Sequence, residues 1–497
     1  QSNATTRALR SPFEILPPET FAGVFVLIFA TIASAGIGAA SNRLMFVRNY
    51  IIFFALVAML AVVFPIGYGY DTLIHEAAVR AVLLQNEISP LPVLYGGAYS
   101  ILTLAAQFLP FSLENIMRFF VPVLAAFFLP LFAAFKTAPE DQPFILPILL
   151  IVPLIFVTFT TPYHLALIFF FGLVTLVFRG TRGELIWIGL PLIGASSAIH
   201  LLVGIPALIL FSAALWPKLK QYSLSATIIG SLTLPAVFII RGLLTSKLPV
   251  FVLSKQKFLE LIPNLPFATT FRPLEDLVYF CGVLALLLLI GLIIKGFFQT
   301  SKELQRPLLI VAGAFLGSGL LLSFMEIPDI IGYEQSDFPR RLFFLAFLTL
   351  LPGVLSAGAR QLRLSSIAPA RTKVLAAFLL LSMLGTSRWY FNFPRRDRHE
   401  VNKGFTVSTA DLTAAHWILK DGLARPFVVL APQTISAALI RSGGFPATIS
   451  RPEDAILPYS IPTGGELYQI FLEMSSVPKD STVKKAAVLT GRQRIYF

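Results

Sequence analysis

Long runs of apolar residues, separated by short polar stretches, alternate along most of this chain. A helix needs about 20 apolar residues to cross a bilayer, and shorter runs suffice where a helix tilts or breaks. We predict twelve spanning segments, at residues 20–40, 50–66, 116–135, 143–158, 164–178, 186–199, 201–216, 223–240, 276–294, 307–325, 342–358 and 373–389. The sixth and seventh runs also fit one long helix that breaks near His200.

Composition favours a polytopic α-helical membrane protein. Hydrophobic residues make up 56% of the chain and charged residues only 13%, against about 25% charged residues in soluble domains. Mean hydropathy is +0.78. A soluble fold could not cover so much apolar surface, and a disordered chain would be far more polar. One cysteine, Cys281, excludes an intrachain disulfide and a cysteine-based metal cluster.

The basic residues predict the orientation in the membrane. The net charge is +13, but the lysines and arginines lie in short loops, which indicates contact with lipid headgroups and not with nucleic acid. One alternating set of loops carries 14 basic residues in 56 positions, and the opposite set carries eight in 106. We expect the first set to be cytoplasmic, both chain ends to lie outside, and the protein to be multi-pass in the plasma (inner) membrane.

The chain divides into three predicted parts. Residues 1–19 comprise a remnant of an affinity tag and an N-terminal segment, and residues 20–389 form the membrane domain. Its outer segments 67–115, 241–275 and 326–341 are too long to be simple connectors. Residues 390–497 are expected to form an extracytoplasmic α/β domain. Its predicted elements are a helix at 411–419, a strand at 426–430, a helix before 443, a strand at 486–489 and a strand-like end at 494–497.

Tyr70 and Asp71 open the first outer segment. Asp71 and His75 are four residues apart, so a helix places them on one face. A carboxylate assisted by an imidazole can act as general base for an acceptor hydroxyl, with Glu76 as a third catalytic candidate and Tyr70 in the pocket. Asp71 as a helix cap and Glu76 in an ion pair with Arg80 remain as structural alternatives. The amphipathic stretch after Asp71 predicts a helix that lies along the membrane surface.

Arg340 and Arg341 stand together at the outer end of a span, against the general charge bias. An arginine can bind a lipid-linked phosphate through two hydrogen bonds. Neighbouring helix residues point about 100° apart, so only one of the two should face inward. Pairing with Glu334 or Asp337, both of which are also pocket candidates, is the structural alternative.

His164 and His200 are predicted at the same membrane level as Asp71. Ionisable groups at this depth are candidates for function, although a lone histidine often has a purely structural hydrogen bond. Together with the nearby acids these histidines could bind a divalent metal, but no tight ligand spacing supports a metal site. No nucleotide-binding motif occurs, and no cofactor is predicted with certainty.

The layout resembles the GT-C superfamily of integral-membrane glycosyltransferases. The likeness rests on many spans, a long first outer segment that opens with an acid, and an outer α/β domain. The residues that carry it are Gly69-Tyr70-Asp71, His75-Glu76, Ile88-Ser89-Pro90-Leu91-Pro92 and Tyr95. The resemblance implies sugar transfer from a polyprenyl-phosphate carrier to a lipid, glycan or protein acceptor, usually with inversion and often without metal. It implies Asp71 as the base and Arg340 or Arg341 as the phosphate ligand.

Several alternatives to this function stay open. Protein O-mannosyltransferase-like members have a pair of acids, Asp-Glu or Asp-Asp, whereas in this chain the acid that follows Asp71 is Glu76. The Trp-Trp-Asp motif of oligosaccharyltransferases is also missing. A transporter or flippase for lipid-linked glycans is one rival, although nearly charge-free spans disfavour coupled transport. An O-antigen-ligase-like polysaccharide ligase or polymerase, which uses outer-face arginines and a histidine, is another. A non-catalytic assembly protein is the third.

Overall fold

A computed structural model describes most of the chain. It covers residues 4–37, 42–85, 95–216, 222–245, 247–253, 273–299, 302–328, 330, 335–366, 371–400, 404–422, 425–446, 448–450 and 455–497. Glu334, residues 88–92 and most of the predicted outer segment 241–275 lie outside the described residues.

Helices dominate the described residues up to position 391. They are α1 (Glu19–Ile37), α2 (Asn42–Val57), α3 (Met59–Val63), α4 (Asp71–Gln85), α5 (Gly96–Phe108), α6 (Leu113–Ala134), α7 (Ile145–Leu149), α8 (Pro162–Arg179), α9 (Arg182–Ile199), α10 (Leu201–Leu215), α11 (Ser223–Thr245), α12 (Pro273–Gln299), α13 (Lys302–Ser323), α14 (Asp337–Ser366) and α15 (Arg371–Phe391). Within the described ranges, six helices are long and apolar enough to cross a bilayer: α6, α8, α11, α12, α14 and α15. Shorter apolar stretches lie in α1, α2, α10 and α13. The chain is thus a helical membrane protein.

The apolar run 143–158, which is predicted as one spanning segment, does not form one continuous helix. It folds into 3₁₀ turns at Gln142–Phe144 and Ile155–Val157, on either side of the five-residue helix α7. Pro153 disfavours helical backbone in the residue before it, so α7 cannot continue. The amide of Leu154 donates to Oδ1 of Asn392 at 2.8 Å, which satisfies a backbone group that the break leaves unpaired.

Residues 186–216 form two helices that pack as a hairpin. His200 has extended backbone and separates α9 from α10. Gly204 lies against Ser197, and Gly189 lies against Phe211, so the helices run antiparallel. A Cβ at Gly204 would be 2.4 Å from the Cα of Ser197, so this approach requires glycine. His200 consequently lies at the tip of the hairpin, as the prediction of two separate passes requires.

Helix α4 is covered by protein on two sides, whereas the sequence predicts a helix that lies on the membrane surface. Leu73 and Ala77 are buried in one hydrophobic cluster with Val407 from the C-terminal part of the chain. Val79 belongs to a second cluster that includes Tyr99 of α5. Most apolar residues of α4 therefore pack against protein, whereas Leu84, next to the last residue of the helix, is 77% exposed.

The C-terminal unit, residues 404–497, contains four helices and short strands in its described residues. The helices are α16 (Thr409–Gly422), α17 (Gln433–Gly443), α18 (Glu466–Ser476) and α19 (Asp480–Thr490), and the strands are β3 (Phe427–Val429), β4 (Ile449–Ser450), β5 (Ala455–Ile456) and β6 (Arg494–Tyr496). The first two strands of the chain, β1 (Val250–Phe251) and β2 (Met325–Glu326), pair with each other in the membrane domain. β3 and β6 pair in parallel, so the predicted terminal strand is confirmed. The predicted strand 486–489 is wrong because these residues belong to α19, and four apolar residues alone do not distinguish a strand from a helix.

The N-terminal segment packs against the chain that follows α15. The Ser11 hydroxyl donates to the carbonyl of Pro394 at 3.0 Å, and the Thr409 amide donates to the carbonyl of Thr6 at 3.0 Å. The start of α1 and the end of α15 therefore lie at the same end of the helix bundle, which we call the head end.

Candidate functional site at the head end of the bundle

A turn with two glycines leads into α4. Gly67 and Gly69 have φ values of +125° and +76°, which glycine adopts far more readily than other residues. A Cβ at Gly69 would be only 3.0 Å from the ring of Phe405, and the ring of Tyr68 packs 5.2 Å from the same phenylalanine. Phe405 of the C-terminal unit thus supports the turn that places Asp71 at the first position of α4. The helix N-terminus stabilises a carboxylate there.

Asp71 and His75 are one turn apart on α4. Asp71 is exposed and His75 is partly buried. Nδ1 of His75 lies 3.1 Å from the phenol oxygen of Tyr99 on α5. Burial lowers the pKa of His75 from 6.5 to about 4, because the charged imidazolium loses its hydration. The ring is therefore neutral at physiological pH and can accept a proton or a hydrogen bond.

The low pKa of His75 predicts a loss of stability as the pH falls from 6.5 towards 4. In this window the unfolded chain binds a proton at His75 that the folded chain excludes, so acidification favours unfolding. We expect His75→Asn, which removes the titrating group, to show a shallower fall in the unfolding midpoint over this range. Thermal unfolding of both proteins in the same detergent, at intervals from pH 7 to pH 4, measures the two slopes. Identical slopes would contradict the prediction.

Six aromatic side chains form a continuous group at the head end. We call it the Tyr–His cluster, and its members are His75, Tyr95, Tyr99, Tyr163, His164 and His200. Ring centroids are 5.7 Å apart for His75 and Tyr95, 5.3 Å for Tyr95 and His200, and 5.4 Å for His200 and Tyr163. The next ring, His164, is 5.8 Å from Tyr163. The structure therefore brings the three predicted histidines together from α4, α8 and the tip of the α9–α10 hairpin.

The two adjacent arginines of α14 have different surroundings. The guanidinium carbon of Arg341 lies 4.8 Å from the ring centroid of Tyr163, a cation–π distance, and the residue is partly buried. The side chain of Arg340 is 71% exposed and lies 3.7 Å from Asp337. The angular offset between successive helix residues separates the two. Arg341 therefore adjoins the Tyr–His cluster, whereas Arg340 lies on the surface.

The phenol of Tyr95 lies within electrostatic reach of both Asp71 and Arg341. Burial is the main cause that raises the pKa of Tyr95; the positive charge of Arg341 opposes this rise and the negative charge of Asp71 adds to it. The head end thus carries a carboxylate on α4, a guanidinium on α14 and the aromatic surfaces of the Tyr–His cluster.

Glu76 is held in a buried ion-pair network. Its Oε1 accepts hydrogen bonds from Nη2 of Arg80 at 2.8 Å and from Nε of Arg441 at 3.1 Å, and Glu76 is only 2% exposed. Glu114 of α6 lies 3.3 Å from Arg80 and 3.9 Å from Arg441. The ion pair with Arg80 is therefore present, and Arg441 extends it to join α4 and α6 to α17. No local sequence signal connects Arg441 with Glu76.

The remaining predicted residues lie at the edge of the site. The ring of Tyr70 packs 5.8 Å from Phe405, and Asp337 is the surface partner of Arg340. Tyr99 and Tyr163 were not among the predicted site residues, because tyrosines in apolar runs are usually core or interface residues. In the part of the chain that the structure describes, no three His, Cys, Asp or Glu side chains lie close enough to hold a metal ion.

Comparison with family models, curated proteins and solved structures finds no match to this chain.

Proposed function

We propose that this protein is a membrane glycosyltransferase that moves a sugar from a polyprenyl-phosphate carrier to an acceptor hydroxyl. One observation carries the proposal: ring contacts connect Arg341 of α14 to His75, which lies one turn from Asp71 on α4. Transfer from a lipid phosphate needs a base for the acceptor and a cation for the leaving phosphate. The Tyr–His cluster connects two such groups although they come from distant helices.

The face of α14 that carries Arg341 also lines a small apolar void. Phe344, Leu348 and Leu351 line it, together with residues of α6, of α8 and of the broken segment around α7. Residues 341, 344, 348 and 351 recur at intervals of three and four and thus share one face of α14. The void has a volume of about 20 Å³, which is too small for an isoprenoid chain. The chain of a carrier bound at Arg341 would therefore extend into the lipid around the bundle.

The proposed reaction is a direct displacement. Asp71 accepts the proton of the acceptor hydroxyl, whose oxygen attacks the anomeric carbon of the sugar. The bond between that carbon and the phosphate oxygen breaks, and its electron pair stays on the phosphate. Arg341 stabilises the negative charge that the leaving phosphate gains. Transfer is expected with inversion, and the products are a glycosylated acceptor and free polyprenyl phosphate.

The proposed topology has twelve crossings, with the head end and the C-terminal unit outside the cytoplasm. Counting α1, α2 with α3, α6, the broken run 142–157, and α8 to α15 accounts for twelve. This count agrees with the contact between the two chain ends at the head end. The basic loops would then lie on the cytoplasmic side of a plasma membrane.

A polysaccharide ligase or polymerase is the second candidate, because the Tyr–His cluster beside Arg341 contains three histidines. In that case His75, which is neutral at physiological pH, would take the acceptor proton in place of Asp71. The two candidates share the carrier phosphate and differ in the base.

Arg341→Ala is expected to weaken binding of polyprenyl phosphate at least tenfold. A hydrogen bond to a charged group contributes about 1.5–3 kcal/mol, and this guanidinium would contact the phosphate directly. Arg340→Ala is the matched control, because it removes the same side chain one position earlier from an exposed site, and we expect a change below twofold. Titration of polyprenyl phosphate into each purified variant in nanodiscs measures both constants. Equal affinities for the two variants would refute the proposal.

A further inference from the structure

Two buried polar atoms in the Tyr–His cluster have no hydrogen-bond partner among the described residues. They are the phenol oxygen of Tyr163 and Nδ1 of His200. Tyr163 is 7% exposed and His200 is 5% exposed. An unpaired polar group at this depth costs about 1–3 kcal/mol, so such groups usually serve a ligand or an ordered water.

The positions of these atoms follow from the order of the rings. Starting at Arg341, the contacts lead to Tyr163 at 4.8 Å, then to His200 at 5.4 Å and to Tyr95 at 5.3 Å. His75, on the same helix as Asp71, comes next at 5.7 Å. Tyr163 therefore contacts the proposed phosphate ligand directly, and His200 is one ring further from it, towards the helix that carries the proposed base.

The reaction requires the transferred sugar next to the carrier phosphate. Its anomeric carbon is bonded to the phosphate on one side and is attacked by the acceptor on the other. A sugar ring presents hydroxyl groups that donate and accept hydrogen bonds, and its carbon-bound hydrogens suit aromatic surfaces. Beside Arg341, the cluster offers a phenol, an imidazole nitrogen and aromatic rings, which are groups suited to a neutral polar ligand.

On the basis of the proposed function, we infer that Tyr163 and His200 form the subsite that binds the sugar ring of the donor, next to the phosphate at Arg341. Tyr163 donates its phenol proton to a sugar oxygen, and Nδ1 of His200 bonds a sugar hydroxyl. The two residues thereby distinguish a sugar-bearing carrier from the bare carrier phosphate. A second phosphate is a poorer occupant, because Tyr163 and His200 carry no positive charge at physiological pH.

The test compares four lipids with the same polyprenyl chain. One is polyprenyl phosphate, and the other three carry a sugar: polyprenyl phosphomannose, phosphoglucose and phosphoarabinose. We expect wild-type protein in nanodiscs to bind at least one sugar-bearing form more tightly than the bare phosphate. Tyr163→Phe should lower that preference about fivefold, the loss of one hydrogen bond to a neutral group, and should leave binding of polyprenyl phosphate unchanged. Tyr459→Phe, which alters a buried tyrosine of the C-terminal unit, should leave both affinities unchanged.

Two substitutions of His200 test the role of its Nδ1 atom separately from that of Nε2. His200→Asn keeps a polar group near the position of Nδ1, whereas His200→Gln keeps one near Nε2. We expect asparagine to retain most of the preference for the sugar-bearing lipid and glutamine to lose it. Equal losses for the two variants would overturn the assignment of Nδ1.

Stability without lipid separates a ligand site from a structural role. Because the Tyr163 hydroxyl has no hydrogen-bond partner in the part of the chain that the structure describes, Tyr163→Phe should unfold at the same or a higher temperature than wild type. A lower midpoint would mean that the hydroxyl stabilises the fold, which would overturn the inference. If Tyr163→Phe leaves the sugar preference intact while Arg341→Ala still weakens phosphate binding, only the sugar subsite is wrong. If Arg341→Ala has no effect, the proposed function itself fails.

Discussion

Asp71→Asn is expected to lower the rate of sugar transfer about 10³-fold, within the range that a positioned general base contributes. The asparagine amide has nearly the same shape but cannot accept the acceptor proton. Binding of polyprenyl phosphate should stay within twofold of wild type, because Arg341 and the face of α14 that carries it are unchanged. The measurement is release of polyprenyl phosphate from the sugar-bearing lipid by reconstituted protein, with native membrane extract as the source of acceptor.

Asp480→Asn is the matched control for this variant. Asp480 also lies at the first position of a helix and is exposed, but it belongs to α19 of the C-terminal unit. We expect wild-type rates from it. Full activity of Asp71→Asn would rule out this carboxylate as the base. Loss of activity in His75→Asn together with full activity in Asp71→Asn would favour the ligase or polymerase mechanism.

Glu76→Ala is expected to destabilise the protein by about 3 kcal/mol, the cost of removing one partner from a buried ion pair. Arg441 is 15% exposed at its side chain and keeps only the more distant Glu114, at 3.9 Å. The positive charge of Arg441 would then be largely buried without a carboxylate at hydrogen-bond distance. Because Arg441 lies on α17, the contact between α4 and the C-terminal unit should weaken first. Denaturant unfolding in detergent measures the total loss, and limited proteolysis of the C-terminal unit reports the local one.

Glu473→Ala provides the comparison with an exposed ion pair. Glu473 and Lys485 are 2.8 Å apart, with side chains 44% and 57% exposed, and exposed pairs contribute about 1 kcal/mol or less. We expect Glu473→Ala to be several times less destabilising than Glu76→Ala. If both variants lose a similar free energy of unfolding, burial does not strengthen the ion pairs of Glu76. An Arg441→Ala variant should reproduce most of the defect of Glu76→Ala, since both break the same contact.

The site shows where local pattern is a sufficient guide and where it is not. Asp71 and His75 could be placed on one face from their spacing alone, because helical periodicity is a local property. The spacing also predicted the ion pair of Glu76 with Arg80. It could not supply Arg441, since that contact depends on how α17 packs against α4. Nor could it choose between Arg340 and Arg341, because the choice depends on which face of α14 meets Tyr163.

The errors in the fold have a similar origin. The run 143–158 has enough apolar residues for a span, but its prolines interrupt the helix and buried neighbours supply the missing backbone contacts. Residues 486–489 are apolar enough for a strand, yet the position beside β3 is occupied by β6. In the run 143–158 hydrophobicity indicated burial correctly but not the backbone geometry of the segment. In residues 486–489 it indicated neither, because only Ala486 is fully buried and Val488 is 85% exposed.

Taken alone, the amino-acid sequence determined that this chain is a helical membrane protein, because a bilayer accepts long apolar helices and the chain contains several of them. It also determined which ionisable residues stand at the ends of those helices. Only the tertiary structure decided that His75, His164, His200 and Arg341 share one cluster while Glu76 turns to Arg441. The physical reason is that helix propensity and hydrophobicity act over a few neighbouring residues, whereas the positions of these side chains depend on packing between segments that are far apart in the chain.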